Sequence, residues 1–400
     1  MHTKTFSEFI NYDTIYKNKE VLKKGYNPET LDQVIHRDAI IDQYIFYLKD
    51  AMGGTVPDNI LVTGKVGAGK TMITTLLSND LVKSGSAVNV NIHIIYTYCE
   101  NFTANSNLLR FINSKMPLTN GTEFKKIGMS VANNFNYFCE LVNDYDGIII
   151  IVLDEIDQLG DPDIINRFAR IRENNFANKN VCLIGITNKA NFTAQLEART
   201  KSVVSQQEII IPPYDALQLR DILQLRAKTA FKPGILTEEA LQLCAAFAAQ
   251  EHGDARRAID LLRVASEIAD KANKQKIEES DVRQAECKLD EDKIRVIIDT
   301  LPIQSKIALY ATAVEGLKHD GTSTSIGEIY STYLKICTSI GRAFLTQRCV
   351  IDLLNELDFM EIIQSIEIKS QGRYGRSSHI QLGNKDKCVL VKEWLSPFIE

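Results

Sequence analysis

The 400-residue chain lacks several features that would assign it to a class at once. It has no long hydrophobic run: the longest purely aliphatic stretch, 148–153, is six residues, far below the ~20 a membrane-spanning helix needs. Its start, Met1-His2-Thr3-Lys4-Thr5-Phe6, has neither an apolar core nor a small-residue cleavage site, so no secretion signal is read there. It has no excess of positive charge. The net of −5 does not advertise nucleic-acid binding, although local clusters decide that question rather than the sum. The eight cysteines (Cys99, Cys139, Cys182, Cys244, Cys287, Cys337, Cys349, Cys388) never stand closer than twelve positions, and no CxxC occurs. The six histidines are equally scattered, so free thiols are expected rather than a metal cluster. There is no internal repeat and no low-complexity tract. A content of 44% hydrophobic and 24% charged residues is that of an ordinary globular protein. These absences point to a soluble intracellular protein of two or three domains.

What is present is organised. The first 25 residues are polar, mixed in charge and only weakly helical in pattern. From 58 to 211 strand and helix alternate. Strands are expected at 59–63, 88–97, 147–153, 181–187 and 208–211, and helices at 70–83, 106–115, 125–143 and 163–174. The unbroken aliphatic run at 147–153 suits a parallel strand covered on both faces, and the alternation predicts an α/β domain with right-handed crossovers. After Pro212-Pro213 the strands stop. Helical patterns follow at 215–231, 237–251, 254–273 and 279–287, with Thr237 and Ser280 placed as N-caps. A charged helix at 290–300 leads to Pro302. The last hundred residues carry helices at 303–314, 326–335 and 346–357, then two strand-like stretches at 360–368 and 378–382. Three helices and a hairpin are the order of a winged helix. The expected divisions are therefore an N-terminal segment 1–25, an α/β core 26–213, a helical domain 214–300 and a winged helix 301–400.

The strongest chemical signal is Gly64-Lys65-Val66-Gly67-Ala68-Gly69-Lys70-Thr71, a full GxxxxGK[ST] match between a strand and a helix. Gly64, Gly67 and Gly69 let the backbone curl, so that the N–H groups of Val66, Ala68 and their neighbours face phosphate oxygens. Lys70 reaches the β and γ phosphates, and Thr71 offers a hydroxyl to Mg²⁺. The aliphatic strand ends in Asp154-Glu155. Asp154 is expected to hold the metal through water, and Glu155 to polarise the attacking water. Asp157, in the same run, reads as a surface or capping acid. The strand at 181–187 ends at Asn188, whose amide could reach the γ-phosphate or that water. Gly253-Asp254-Ala255-Arg256-Arg257 opens a helix, and Arg256 could close onto the phosphates from a lid. Arg199 is the candidate arginine finger. Residues 295–400 hold twelve basic and twelve acidic residues. Yet Arg373, Tyr374 and Arg376 form a basic, aromatic tip, with Lys369 before it and Arg342 and Arg348 near the third helix. Such a tip could contact phosphates and enter a minor groove.

Together, Gly64–Thr71, Asp154-Glu155, Asn188 and Gly253-Asp254-Ala255-Arg256 resemble the AAA+ ATPases, in which they match Walker A, Walker B, sensor 1 and sensor 2. Four further stretches narrow the resemblance. They are Ile35-His36-Arg37-Asp38, Ile209-Ile210-Ile211-Pro212-Pro213-Tyr214, the helix that starts Arg256-Arg257-Ala258-Ile259-Asp260, and Gly372-Arg373-Tyr374-Gly375-Arg376. The chain, from about 26 to 384, is similar to the archaeal initiators of the origin recognition complex and cell division control type. That resemblance implies an α/β AAA+ P-loop core with a helical lid and a C-terminal winged-helix domain. It implies ATP or ADP with Mg²⁺ as ligands, with Tyr214 beside the nucleotide, and slow hydrolysis acting as a switch. It implies double-stranded origin DNA and a replicative helicase as partners, with a paralogous initiator or a second copy on DNA. It places the protein in the cytoplasm on the nucleoid, away from membranes. A helical insertion near 99–110 would add a second DNA contact. Arg199 matches the basic motif after sensor 1, where Glu197-Ala198 replaces the expected acid–proline pair. Other readings share the motifs: a signal-transducing ATPase whose winged helix regulates transcription or binds protein, a clamp-loader-like subunit, and a DNA-binding module whose ATP is structural.

Overall fold

The computed structural model describes residues 14–117, 130–173, 180–360, 362–369 and 376–399, which fall into two compact units divided after Ala285. The first is built on a five-stranded parallel sheet: β1 (Ile60–Gly64), β2 (Ile92–Tyr98), β3 (Ile148–Asp154), β4 (Val181–Thr187) and β5 (Gln207–Ile211), in the order β2-β3-β4-β1-β5. Strand β3 explains its own unbroken aliphatic run. Side chains alternate across a sheet, so Ile149, Ile151 and Leu153 enter one core while Ile148, Ile150 and Val152 enter the other. The first core is closed by α3 (Asn105–Lys115), α4 (Val131–Asp144), α5 (Asp163–Ala169) and α6 (Ala198–Val204). The second is closed by α1 (Asp38–Leu48) and α2 (Lys70–Ala87). Each buried Ile or Leu contributes about 1.5–3 kcal/mol, so this sheet is the rigid base of the unit. Helices α3 and α4 lie between β2 and β3, where the sequence suggests an insertion. The described helix starts at Asn105 and follows a short turn at Cys99–Asn101.

Beyond β5 come α7 (Ala216–Ala230), α8 (Glu238–Gln250), α9 (Ala255–Lys271) and α10 (Glu279–Thr300). The two helical patterns expected at 279–287 and 290–300 are one continuous helix, because nothing between them breaks it. The described part of the N-terminal segment, from Thr14 on and weak in pattern, is packed onto α7 and α9. Tyr16 forms an antiparallel bridge with Phe231, Arg226 donates to the carbonyls of Val21 and Tyr26, and Ile15, Val21 and Leu22 are buried.

The second unit contains α11 (Ile303–Lys318), β6 (Thr324–Ser325), α12 (Ile326–Ser339), α13 (Gln347–Phe359), β7 (Gln364–Lys369), β8 (Arg376–Gln381) and α14 (Lys385–Ile399). Its antiparallel sheet has the order β6-β8-β7, which makes this the expected winged helix. Ser325 and Thr346 cap α12 and α13, with Glu328 completing a capping box at the first. Helix α14 was not expected. It buries Cys388, Val391, Leu395 and Ile399 in the same core as Leu309, Tyr333 and Leu354. Among the described residues, no helix is long and apolar enough to cross a membrane.

Candidate nucleotide site

The sheet register builds the site. Parallel pairing sets Tyr98 beside Asp154, Asp154 beside Ile186, and Thr63 beside Thr187, so the C-terminal ends of β1 to β4 meet at one edge. Ligands of open α/β sheets bind at that edge. The loop from Gly64 to Gly69 turns there into α2. Gly67 (φ +72°) needs its glycine twice over: the backbone is left-handed, and a Cβ would lie 1.8 Å from Asp254 Oδ1. Lys70 is buried, and its Nζ donates to the carbonyls of Gly64 and Lys65, both at 2.7 Å. Burial holds its ammonium below the ordinary lysine range, with Asp154 opposing that shift.

Asp154 is 2% exposed, and three donors fix it. Thr71 Oγ1 donates to Oδ2 at 2.7 Å, Tyr96 Oη donates to the same oxygen at 2.6 Å, and the Glu155 N–H donates to Oδ1 at 2.9 Å. Burial and the Asp154 charge push the Tyr96 hydroxyl far above its usual pKa, so it stays a donor. Glu155 has a left-handed backbone (φ +56°), an uncommon conformation for a non-glycine residue. Burial first, then the carboxylates of Glu100 and Asp154, raise its carboxyl above the ordinary range. A raised pKa suits a group that must take up a proton.

A cavity of about 500 Å³ opens over these residues. Its floor includes Gly67, Gly69, Lys70, Thr71, Asp154 and Glu155, and Asn188 stands at its wall. Helix α9 contributes Arg256, exposed and second in its helix, where Asp254 Oδ1 accepts from the Arg256 N–H. Tyr214 also lines the cavity and is buried. Val66 is exposed at the loop tip, and Ala68 is fully buried beneath it. This donor set fits a magnesium-bound nucleotide: a hydroxyl and a carboxylate 2.7 Å apart, a buried lysine, and a helix N-terminus opening from a loop of two left-handed glycines.

Three residues here were given no role at the site by the sequence. Tyr96 is the first. Arg37 is the second: 3% exposed, it donates to the carbonyls of Ala68 (3.2 Å) and Pro212 (2.7 Å) and stacks 3.6 Å from the Tyr214 ring centroid. It joins the phosphate loop to the junction before α7. Asp157 is the third. Its side chain is only 2% exposed and reaches Thr187 and Lys189, which overturns its reading as a surface acid or cap.

The remaining candidates are placed as follows. Arg199 is in the first turn of α6, its side chain outside the described residues. Arg342 is exposed between α12 and α13, and Arg348 is exposed in the first turn of α13. Lys369 and Arg376 pair across the ends of β7 and β8, with their side chains outside the described residues. Arg373 and Tyr374 also lie outside the described residues.

Comparison with known proteins agrees with this geometry. Family models for an AAA domain, a Cdc6 AAA+ ATPase-type lid domain and a CDC6 C-terminal winged helix domain match residues 56–191, 220–287 and 296–390. ORC1-type DNA replication protein 1 of Methanosarcina acetivorans is 38% identical over 407 residues, covering 99% of this chain and 95% of that protein. ORC1-type DNA replication protein of Thermococcus kodakarensis is 40% identical over 382 residues, covering 94% and 90%. The Aeropyrum pernix ORC1 protein, solved in complex with DNA, superposes with a TM-score of 0.75 at 34% identity, over 96% of this chain and 97% of that one. Cdc6p from Pyrobaculum aerophilum (TM-score 0.59, 22% identity, 97% and 100% covered) shares the fold. The phosphate loop, the acid-tipped β3, the lid and the winged helix therefore have one explanation: the chain belongs to the ORC1/Cdc6 family of AAA+ ATPases that initiate DNA replication.

Proposed function

We propose that this chain binds ATP, recognises origin DNA and helps recruit or load the replicative helicase, with slow hydrolysis as the switch between states. The observation that carries the proposal is the convergence of Thr71 and Tyr96 on Asp154, in a cavity walled by the α9 residue Arg256, in a chain that ends in a winged helix. We assign the ATPase core to 26–213, the lid to 214–300 and the DNA-binding domain to 301–400.

In this reading the loop N–H groups from Gly64 to Gly69 and Lys70 hold the phosphates, while Thr71 and Asp154 hold the metal. Tyr214 stands beside the nucleotide. A magnesium ion held there would supply charge neutralisation to the phosphates. Glu155 takes the proton of the attacking water, Asn188 orients that water against the γ-phosphate, and Arg256 reports the γ-phosphate to the lid. Arg199 acts as the finger from a second copy or a paralogue on DNA. The phosphate and minor-groove contacts fall to Arg342, Arg348, Lys369, Arg373, Tyr374 and Arg376. The DNA role is supported by the Aeropyrum pernix relative, solved with DNA bound. Footprinting on total genomic DNA with ATP and with ADP tests the proposal. Protection confined to a few discrete repeats is expected; uniform protection of random sequence rejects origin recognition.

A further inference from the structure

The Asp157 carboxylate sits at the join between the two catalytic turns. Glu155 begins a tight turn through Gln158. Two residues of that turn are anchored on β4. Ile156, fully buried, packs on Gly185, where an added Cβ would lie 3.1 Å from Ile156 Cδ1. Asp157 Oδ1 accepts a hydrogen bond from Thr187 Oγ1 at 2.7 Å. Gly185 and Thr187 are two apart on a strand and so share one face. Thr187 Oγ1 also accepts the N–H of Lys189 at 3.0 Å, and Lys189 Nζ stands 3.5 Å from Asp157 Oδ2. Asp157 therefore grips the residues on both sides of Asn188.

We infer that Asp157 is a positioning residue: it fixes the turn that presents Asn188 and ties it rigidly to the turn that presents Glu155. The inference rests on the proposed roles of Asn188 and Glu155. Its chemistry is simple. Asn188 is half-buried at the cavity wall, with its direction set by the backbone on either side. A carboxylate that accepts from Thr187 and faces the Lys189 ammonium holds both flanks with charge-assisted contacts. A shift at Asn188 then moves through Asp157 into the strained backbone of Glu155, so that base and sensor change position together. Without Asp157 the side-chain link between the two turns is lost, and what remains is the packing of Ile156 on Gly185 and the β3–β4 pairing that ends at Asp154 and Ile186.

The test is a double-mutant cycle on the full chain, reading kcat, KM for ATP and affinity for a fluorescent ADP. Asp157→Ala is expected to lower kcat by about 10²-fold, the scale of misplacing one reacting group, and to leave ADP affinity unchanged. Asp157→Ala/Asn188→Ala is expected to be slowed by clearly less than the product of the two single effects, because much of what Asp157 does is done through Asn188. A merely structural role would give multiplying effects and lowered ADP affinity, and either result overturns the inference. Thr187→Val, which removes the hydroxyl that donates to Asp157 and accepts from the Lys189 N–H, decides by the same cycle if Asp157→Ala does not fold. Wild-type turnover in Asp157→Ala beside a slow Asn188→Ala rejects this inference and leaves the sensor assignment intact. Wild-type turnover in Asn188→Ala rejects the sensor assignment itself, and this inference with it.

Discussion

Replacing Tyr96 by Phe removes one hydroxyl and leaves the ring, which packs 5.4 Å from that of Tyr98. The lost contact is a 2.6 Å hydrogen bond to a buried carboxylate. Hydrogen bonds to charged groups contribute about 1.5–3 kcal/mol. Asp154 Oδ2 keeps Thr71 at 2.7 Å and Oδ1 keeps the Glu155 N–H at 2.9 Å, so the carboxylate is not orphaned and the low end applies. About 1.5 kcal/mol is about tenfold in an equilibrium constant, which matches the lower range found when a second-layer partner of a metal ligand is removed. The effect falls on Mg²⁺ because Asp154 is the proposed metal ligand. The assay is a Mg²⁺ titration of fluorescent ATP binding, with a parallel titration of nucleotide in EDTA. Tyr96→Phe is expected to raise the Mg²⁺ midpoint about tenfold and leave metal-free binding unchanged. An unchanged midpoint refutes the reasoning. So does a loss of metal-free binding, which would make Tyr96 a packing residue.

Other outcomes follow from the same geometry. Glu155→Gln is expected to bind ATP as the wild type does and to hydrolyse it about 10²–10⁴-fold more slowly, measured in single turnover; wild-type turnover removes Glu155 from the mechanism. Arg37→Met is expected to destabilise the chain by about 1–3 kcal/mol for each carbonyl left unpaired in its buried site, seen as a lower melting temperature in denaturant-free scans. Unchanged stability would mean that its contacts with Ala68 and Pro212 are incidental. Arg342→Ala/Arg348→Ala is expected to reduce the slope of log K against log salt for duplex DNA by about 0.9 per lost phosphate contact, without change in ADP affinity. A slope equal to that of the wild type places the DNA contact elsewhere.

Much of the site was legible because phosphate chemistry uses contiguous residues. Gly64 to Thr71 is one contiguous run from the end of β1 into α2, Asp154-Glu155 stands at the end of one strand, and Asn188 follows another. Period and spacing sufficed to place each on the right element. Tyr96 was hidden by register. Its hydroxyl meets Asp154 only because β2 pairs with β3 so that Tyr98 lies beside Asp154, and strand pairing is not a local property. Asp157 was misread for a related reason: an acid three residues past a strand looks like a cap until β4 brings Thr187 to it. The N-terminal segment escaped because three apolar residues, Ile15, Val21 and Leu22, are too few to show a period. Their partners lie more than 200 positions away, as with Arg226 and the Val21 carbonyl. Helix α14 is different. Cys388, Val391, Leu395 and Ile399 stand at helical spacing, but no helix was read there. The helix carries Pro397 in its last turn, where the missing N–H leaves one carbonyl, that of Glu393, without its helical donor.

Calorimetric titration of the full chain with ADP and ATP in Mg²⁺, repeated with Lys70→Ala, tests the central claim most directly. The account predicts one nucleotide per chain, with affinity lost in the variant because the buried ammonium at the start of α2 is the main phosphate anchor. Equal binding by wild type and Lys70→Ala, or no heat from either nucleotide, would contradict it.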